Sequence, residues 1–485
     1  MSSIKKVFIG GVFYNAAAKY SGIVISLIVT AILARILAPG EFGIIAVAMV
    51  FITFFSILSD IGIGTAIIQK KELTANDLSH IFSLTLYLAG ISAIIFFFGS
   101  ALVASYYNEP VLALICKILS VHLFFSVANI VPNGLLLKHK EFQFIAGRTL
   151  IVQFIGGALA VGAALQGLGI YSLLVAPVFS SVIIFIVNYL KYRIAFSFVV
   201  RPSSIRKIFS YSVFQFLFNI INFFSRNLDN LLIGKVLGLS PLGYYEKSYR
   251  LMLLPMSNIS YILISVIHPV FSDYQDNMDY VIRKYLKIVK LLATIGFPLS
   301  AFLFFTAKEW IILLFGDQWM LSVPVFQYLC ISIGFQMVLS SAGAIFQTAN
   351  ATKFLFIDGL LSTFLTILCL LAGLFYFRQL NAVALLISIS FILNFFKSFY
   401  ILFRWVLKQS LSLFFSQLVR PVVAGGLLVV AFYGAMPFLP VNLFLALTVK
   451  TALAVLLDLS FIHVLKIYNL WNILRICIRK LSAYH

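Results

Sequence analysis

Gln215, Asn219, Asn222, Arg226 and Asp229 recur at steps of four, three, four and three within a segment that otherwise reads as membrane helix. That spacing places their side chains on one face of an α-helix. After the break Gly238-Leu239-Ser240-Pro241 the chain turns back, and Glu246 and Arg250 follow one turn apart on the next apolar segment. The chemistry open to these groups is binding. A guanidinium is a forked donor for carboxylate or phosphate, and amides both donate to and accept from hydroxyls. Ionisable groups inside a bilayer cost roughly 2.5–3.5 kcal/mol each on insertion scales, so they normally face a bundle interior or a water-filled cavity. The two segments are therefore expected to line a cavity for a polar, anionic substrate.

The elements that must position them are membrane helices. Apolar residues make up 62% of the chain and charged ones 10%, against roughly 45–50% and 25% in soluble domains. The chain is expected to be an all-α polytopic membrane protein of about fourteen spans, each near the roughly 20 residues that cross the hydrocarbon. They fall near 12–37, 42–68, 79–105, 111–136, 143–165, 170–190, 208–237, 242–267, 288–306, 323–348, 354–377, 381–403, 421–439 and 442–465. The net charge of +20 suggests nucleic-acid binding until the basic residues are placed on this map. With the N-terminus inside, pairs such as Lys5-Lys6, Lys70-Lys71, Arg206-Lys207, Arg283-Lys284 and Arg479-Lys480 fall on the inner side, whereas the outer loops carry only Lys308 and Arg378. This bias obeys the positive-inside rule, implies an even number of spans with both termini cytoplasmic, and removes the need for a nucleic-acid partner. The first apolar segment reads as a retained helix rather than a signal peptide. Cys116, Cys330, Cys369 and Cys477 are scattered without a C-x-x-C pair and read as packing residues.

An internal repeat is visible. Arg35, Leu37 and Gly43 match Lys235, Leu237 and Gly243 at a constant offset of 200, each set surrounding a Pro-containing turn. Spans 1 to 6 and 7 to 12 then form two parallel halves, since six crossings return the chain to the same side. The expected organisation is an N-terminal bundle over 1–200, a C-terminal bundle over 201–405, and two further spans with a basic tail over 406–485. Span 1 has a polar face through Asn15, Lys19, Ser26 and Thr30, and span 2 one through Thr53, Ser56 and Asp60. Lys19 and Asp60 lie at similar depth and can pair, as neutralising partners in a cavity or as a purely structural pair. Asp229 and Arg250 match similarly. Lys117 and Arg148 sit near span ends, where snorkelling competes with cavity lining. Lys290, Asp358 and Lys397 lie close to the inner surface and are expected to be solvated there. Lys450 and Asp458 occupy span 14, and the sequence offers no account of Lys450. Pro132, Pro177, Pro255 and Pro298 are set to kink their spans. The tail from Lys466 to Lys480 reads as an interfacial basic amphipathic helix.

Several chemistries are missing from the chain. It has no G-x-x-x-x-G-K-[ST] loop, no H-E-x-x-H, no nucleophile elbow and no Cys/His metal constellation. Asp273, Asp276 and Asp279 read as a solvated loop rather than a metal site. The outer connection from Ala307 to Ser322 is too short for the external domain of a lipid-linked glycosyltransferase or polymerase. No enzyme activity and no cofactor are expected.

Helix-end motifs add a family. Ala34-Arg35-Ile36-Leu37 with Glu41-Phe42-Gly43, Leu58-Ser59-Asp60-Ile61-Gly62-Ile63-Gly64, Asp229-Asn230 through Gly243-Tyr244-Tyr245, and Leu314-Phe315-Gly316-Asp317-Gln318-Trp319 with Val323-Pro324-Val325 resemble the bacterial polysaccharide flippases of the colanic-acid and teichuronic-acid exporter type. These belong to the multidrug/oligosaccharidyl-lipid/polysaccharide (MOP) exporter superfamily. The resemblance implies two six-helix bundles in a V with two added helices, and a central cavity lined by spans 1, 2, 7 and 8. It further implies an undecaprenyl-diphosphate-linked oligosaccharide as substrate, the bilayer of the bacterial inner membrane as surroundings, and the polysaccharide polymerase and chain-length machinery as partners. On this reading Arg226 and Arg250 contact the diphosphate, Lys19 and Arg148 attract it from the cytoplasmic side, and Asn219 and Asn222 bond sugar. Asp60, Asp229 and Glu246 balance the charge, and Arg35 with Lys235 form an outer gate. The alternatives are an ion-coupled multidrug or metabolite exporter of the same superfamily, the peptidoglycan lipid flippase, and a membrane glycosyltransferase or polymerase.

Overall fold

The computed structural model describes residues 2–60, 62–70, 72–272, 274–438 and 440–465, and only the backbone of helix residues 2–18, 206–218, 221, 257, 259–270 and 272. The side chains of Asn15 and Gln215, together with Asp273, Cys477 and the tail from Lys466, lie outside the described residues. The described chain is all-helical and divides into two compact units, Met1–Gly243 and Tyr244–His485.

The first unit contains α1 (Ser2–Ile36), α2 (Pro39–Asp60), α3 (Ile63–Gln69), α4 (Ala75–Tyr107), α5 (Val111–Ala128), α6 (Ile130–Lys138), α7 (Phe142–Leu165), α8 (Ser172–Tyr192), α9 (Pro202–Val236) and the first turn of α10 (Leu239–Ser272). Helix α1 packs on α7, α4 on α5, and α2 on both α5 and α9. Local chemistry sets the helix ends. Thr74 and Asp77 form a reciprocal capping box that opens α4, and Pro202 stands at the start of α9, where its missing N–H is harmless. The run from 111 to 138 is one span broken at Asn129, because Pro132 cannot donate to the carbonyl four residues earlier. Ile63, Ala66 and Ile67 of α3 bury against Ile81 and Phe82 of α4 and Val131 and Leu135 of α6.

The segment joining α8 to α9 is strapped along one face of α4. His80 Nδ1 donates to the Val199 carbonyl at 2.9 Å, Ser83 Oγ accepts from Ser197 N–H at 2.8 Å, and Tyr87 donates to the Phe198 carbonyl at 2.9 Å. At the end of the strap Ser204, in the first turn of α9, donates to Asp77 Oδ1 at 2.7 Å. Positions 77, 80, 83 and 87 step by three, three and four, so one helical face does all of this.

The second unit contains the rest of α10, then α11 (Met278–Phe305), α12 (Ala307–Phe315), α13 (Ser322–Cys330), α14 (Ile333–Leu339), α15 (Ala342–Thr348), α16 (Thr352–Leu371), α17 (Leu380–Tyr400), α18 (Leu411–Ala435) and α19 (Leu443–Val464). Helix α11 is central and packs on α13, α14 and α18. Phe305, Leu428, Phe432 and Ala454 close the core between α11, α18 and α19.

Two buried polar sites correct the sequence reading. Asp358 and Lys397, expected to be solvated, instead pair at 3.0 Å between α16 and α17, and both Asp358 oxygens accept from Ser398 at 2.7 and 2.8 Å. The partners come from the neighbouring helix, which proximity to the inner surface does not reveal. Lys450 of α19, unaccounted for by the sequence, pairs with Glu309 of α12.

Among the described residues, 11 helices are long and apolar enough to cross a membrane, or 12 if Ser322–Cys330 and Ile333–Thr348, bent by 46°, form one broken span. Ser332 and Ser341 turn their hydroxyls onto the Leu329 and Val338 carbonyls in that span, which offers the backbone bonds outside the helical ladder. Helices α9 and α10, with 35 and 34 residues, also exceed the roughly 20 residues a crossing requires.

Candidate functional site

The polar face of α9 opens on a cavity of about 480 Å³ in the first unit, lined by Thr53 and Ile57 of α2 and by Asn219, Asn222, Phe223, Arg226 and Asn227 of α9. Three residues expected from spacing alone, Asn219, Asn222 and Arg226, thus share one wall. Helix periodicity produces this wall, and the packing of α2 on α9 supplies the other. Arg226 is exposed to the cavity, whereas Phe223 is buried at its edge, where its ring meets Phe54 at 5.4 Å. Thr53 donates to the Met49 carbonyl at 2.8 Å and Asn227 to the Phe223 carbonyl at 2.9 Å. Both keep an oxygen that can accept from a hydroxyl. The wall therefore offers one forked cation, amides and a hydroxyl beside aromatic carbon, a set suited to an anionic group carried on a polyhydroxylated body.

The other expected residues lie elsewhere. Asp60 is half-buried at the end of α2 and accepts from the Gly64 N–H at 3.1 Å. Asp229 accepts from the Asn230 N–H at 2.8 Å, and Lys19 is exposed on α1. Arg148 of α7 donates to Asn188 of α8, which in turn donates to Asn129 at 2.7 Å, at the break between α5 and α6. Lys235 donates to the Tyr106 carbonyl and lies over that ring at 4.5 Å, while Arg35 is exposed at the end of α1. In the second unit Glu246 is buried and paired with Lys247 at 3.4 Å and with Arg250, whose own side chain is largely exposed. Among the described residues no group of three or more His, Cys, Asp and Glu is placed to hold a metal ion.

Thr53, Ile57, Phe223 and Asn227 were not singled out as cavity residues by the sequence. Thr53 did lie on the polar face of span 2, but nothing in spacing says that this face meets span 7. Phe223 and Asn227 flank Arg226 and would have followed from widening the stripe.

Residues 32–324 match the model of the polysaccharide biosynthesis protein family, and the chain belongs to that family. It is 26% identical to the lipopolysaccharide biosynthesis protein WzxC of Escherichia coli K12, over 93% of this chain and 90% of that one. It is 24% identical to the teichuronic acid biosynthesis protein TuaB of Bacillus subtilis 168, over 89% and 90%. Among solved structures, the lipid II flippase MurJ in an inward closed conformation superposes with a TM-score of 0.75 over 93% of this chain and 98% of that chain, at 14% identity, a likeness of fold. The helix-end motifs thus pointed to a polysaccharide family, and the chain is a multi-pass membrane protein with the fold of the lipid II flippase.

Proposed function

We propose that this protein moves an undecaprenyl-diphosphate-linked oligosaccharide from the cytoplasmic to the periplasmic leaflet by alternating access, for surface polysaccharide assembly, without changing it chemically. The observation that carries this reading is the α2–α9 cavity, which joins Arg226 to Asn219, Asn222, Asn227 and Thr53. A guanidinium donates two parallel bonds to a phosphate oxygen pair, and amides and hydroxyls bond sugar. Arg226 and Arg250 are assigned to the diphosphate, Lys19 to its attraction from the cytoplasm, and Asp60, Asp229 and Glu246 to charge balance in the empty state. Arg148, engaged with Asn188, is assigned to holding the α5–α6 break. Arg35 and Lys235 flank the outer end. The architecture that goes with this is about fourteen spans in two bundles, 1–200 and 201–405, with two added spans over 406–485, in the bacterial inner membrane with both termini cytoplasmic. The names of WzxC and TuaB, both polysaccharide biosynthesis proteins, support the substrate class.

The test is thermal stabilisation of the purified protein by undecaprenyl-diphosphate oligosaccharide and, separately, by a lipophilic cation. The expected result is stabilisation by the diphosphate lipid alone, lost in an Arg226→Ala/Arg250→Ala variant. Stabilisation by the cation alone would overturn the reading in favour of a drug exporter. A change in the mass of the lipid-linked sugar after incubation would overturn it in favour of a transferase.

A further inference from the structure

The glycines that the sequence pairs at an offset of 200, Gly43 and Gly243, meet across the first turns of α2 and α10. A Cβ on Gly43 would stand 1.8 Å from the carbonyl oxygen of Leu239, and a Cβ on Gly243 would stand 1.9 Å from that of Pro39. Leu239 is the counterpart of Pro39 at the same offset, so the contact is reciprocal. Each turn lays its glycine on the other's backbone about a local two-fold axis. The obstructing atoms are main-chain carbonyls in both directions, so no side-chain rotation can relieve them. Ser240 and Gly40 continue the pairing: a Cβ on Gly40 would lie 3.9 Å from the Ser240 Cβ.

Position gives this contact a meaning. It stands at the ends of the two helices that line the cavity. Helix α2 runs from Pro39 inward to Thr53 and Ile57, roughly 20 Å at 1.5 Å per residue. Helix α9 runs outward from Arg226 to Val236 and reaches the same turn through Leu237 and Gly238. Apposed backbones without interlocking side chains seal closely, and they part as rigid bodies without rotamer changes.

We infer that the reciprocal Gly43–Gly243 contact is the closure on the outer side of the cavity, made by the two repeats meeting through equivalent turns. Arg35 and Lys235 flank the closure, each at the end of the helix that leads into its turn. This rests on the alternating-access reading, in which the outer side must open once per cycle.

A disulfide tests it, because 3.9 Å between Cβ positions suits a cysteine bridge. Gly40→Cys/Ser240→Cys is built in a chain whose four native cysteines are alanine, and bridge formation in membranes is read by mass. Export of lipid-linked oligosaccharide is then compared in the oxidised and reduced forms. The expected result is a bridge, export lost when oxidised, and export restored by reductant. Failure of the bridge to form, or full export by the bridged protein, would overturn the closure while leaving the function untouched.

If the unmodified protein exports nothing in the same assay, the functional reading fails, and a readout independent of transport still decides the closure, as it does if the cysteine-free parent alone is inactive. Thr53→Cys is labelled from outside by an impermeant maleimide, with and without Gly43→Ala. The alanine should speed labelling by about tenfold, the effect of a modest shift toward the open state. Equal labelling in both would overturn the closure.

Discussion

Lys450 of α19 and Glu309 of α12 lie 2.5 Å apart, Nζ to Oε1, with both side chains more than nine-tenths buried. Lys450 also donates to the Phe305 carbonyl at 2.7 Å. Removing one partner leaves a buried charge uncompensated, which costs about 3–5 kcal/mol, whereas replacing both by apolar groups is often near neutral. Lys450→Met should therefore lower the melting temperature of the purified protein sharply, and Lys450→Met/Glu309→Leu should recover most of the loss. A double variant less stable than the single one would show that the pair itself holds α19 in place.

Arg226 and a lysine differ in geometry more than in charge. Arg226→Lys keeps a cation in the cavity but loses the fork that matches a diphosphate. Affinity for the undecaprenyl-diphosphate oligosaccharide should fall about tenfold in Arg226→Lys and further in Arg226→Ala, each tenfold step being about 1.4 kcal/mol. Equal affinity in all three proteins, measured by titrated thermal shift, would remove Arg226 from the binding site.

Asn188 accepts from Arg148 and donates to Asn129 at 2.7 Å, so it ties α7 and α8 to the broken span. Asn188→Leu should destabilise the protein, because it strands a half-buried guanidinium whose Nε already has no partner. Ligand affinity should remain as in the wild type. A fall in affinity with unchanged stability would instead return Arg148 to the substrate path.

The strap between α8 and α9 should yield to proteases when its anchor goes. Asp77 accepts from Ser204 at 2.7 Å and also caps α4, so Ser204→Ala is the cleaner change: it removes the strap's bond and leaves the cap. Tryptic cleavage at Arg193 should quicken several-fold, tracking the population of the opened segment. Unchanged cleavage would mean that His80, Ser83 and Tyr87 suffice.

The membrane class, the polar face of span 7 and the repeat at Gly43 and Gly243 were legible because each depends on periodicity or composition along one stretch of chain. What spacing leaves open is which faces meet. The sequence leaves Lys450 unexplained because Glu309 lies 141 residues away, in a stretch that reads only as an outer connection. Asp358 and Lys397 looked solvated because depth was inferred from distance to a span end, while the hydroxyl of Ser398 that satisfies the carboxylate sits on another helix. Arg148 carried the chemistry of a ligand group, yet Asn188, buried on the next helix, engages it. Side chains that touch across helices are invisible to a one-helix pattern.

The strap along α4 also works as a ruler. Moving α9 by one turn along its axis would shift it by about 5.4 Å, more than any hydrogen bond from Asp77, His80, Ser83 or Tyr87 could stretch to follow. The height of Arg226 relative to α4 is therefore set by a serine more than twenty residues before it, and a deletion in 194–201 would mis-set that height with every cavity residue intact.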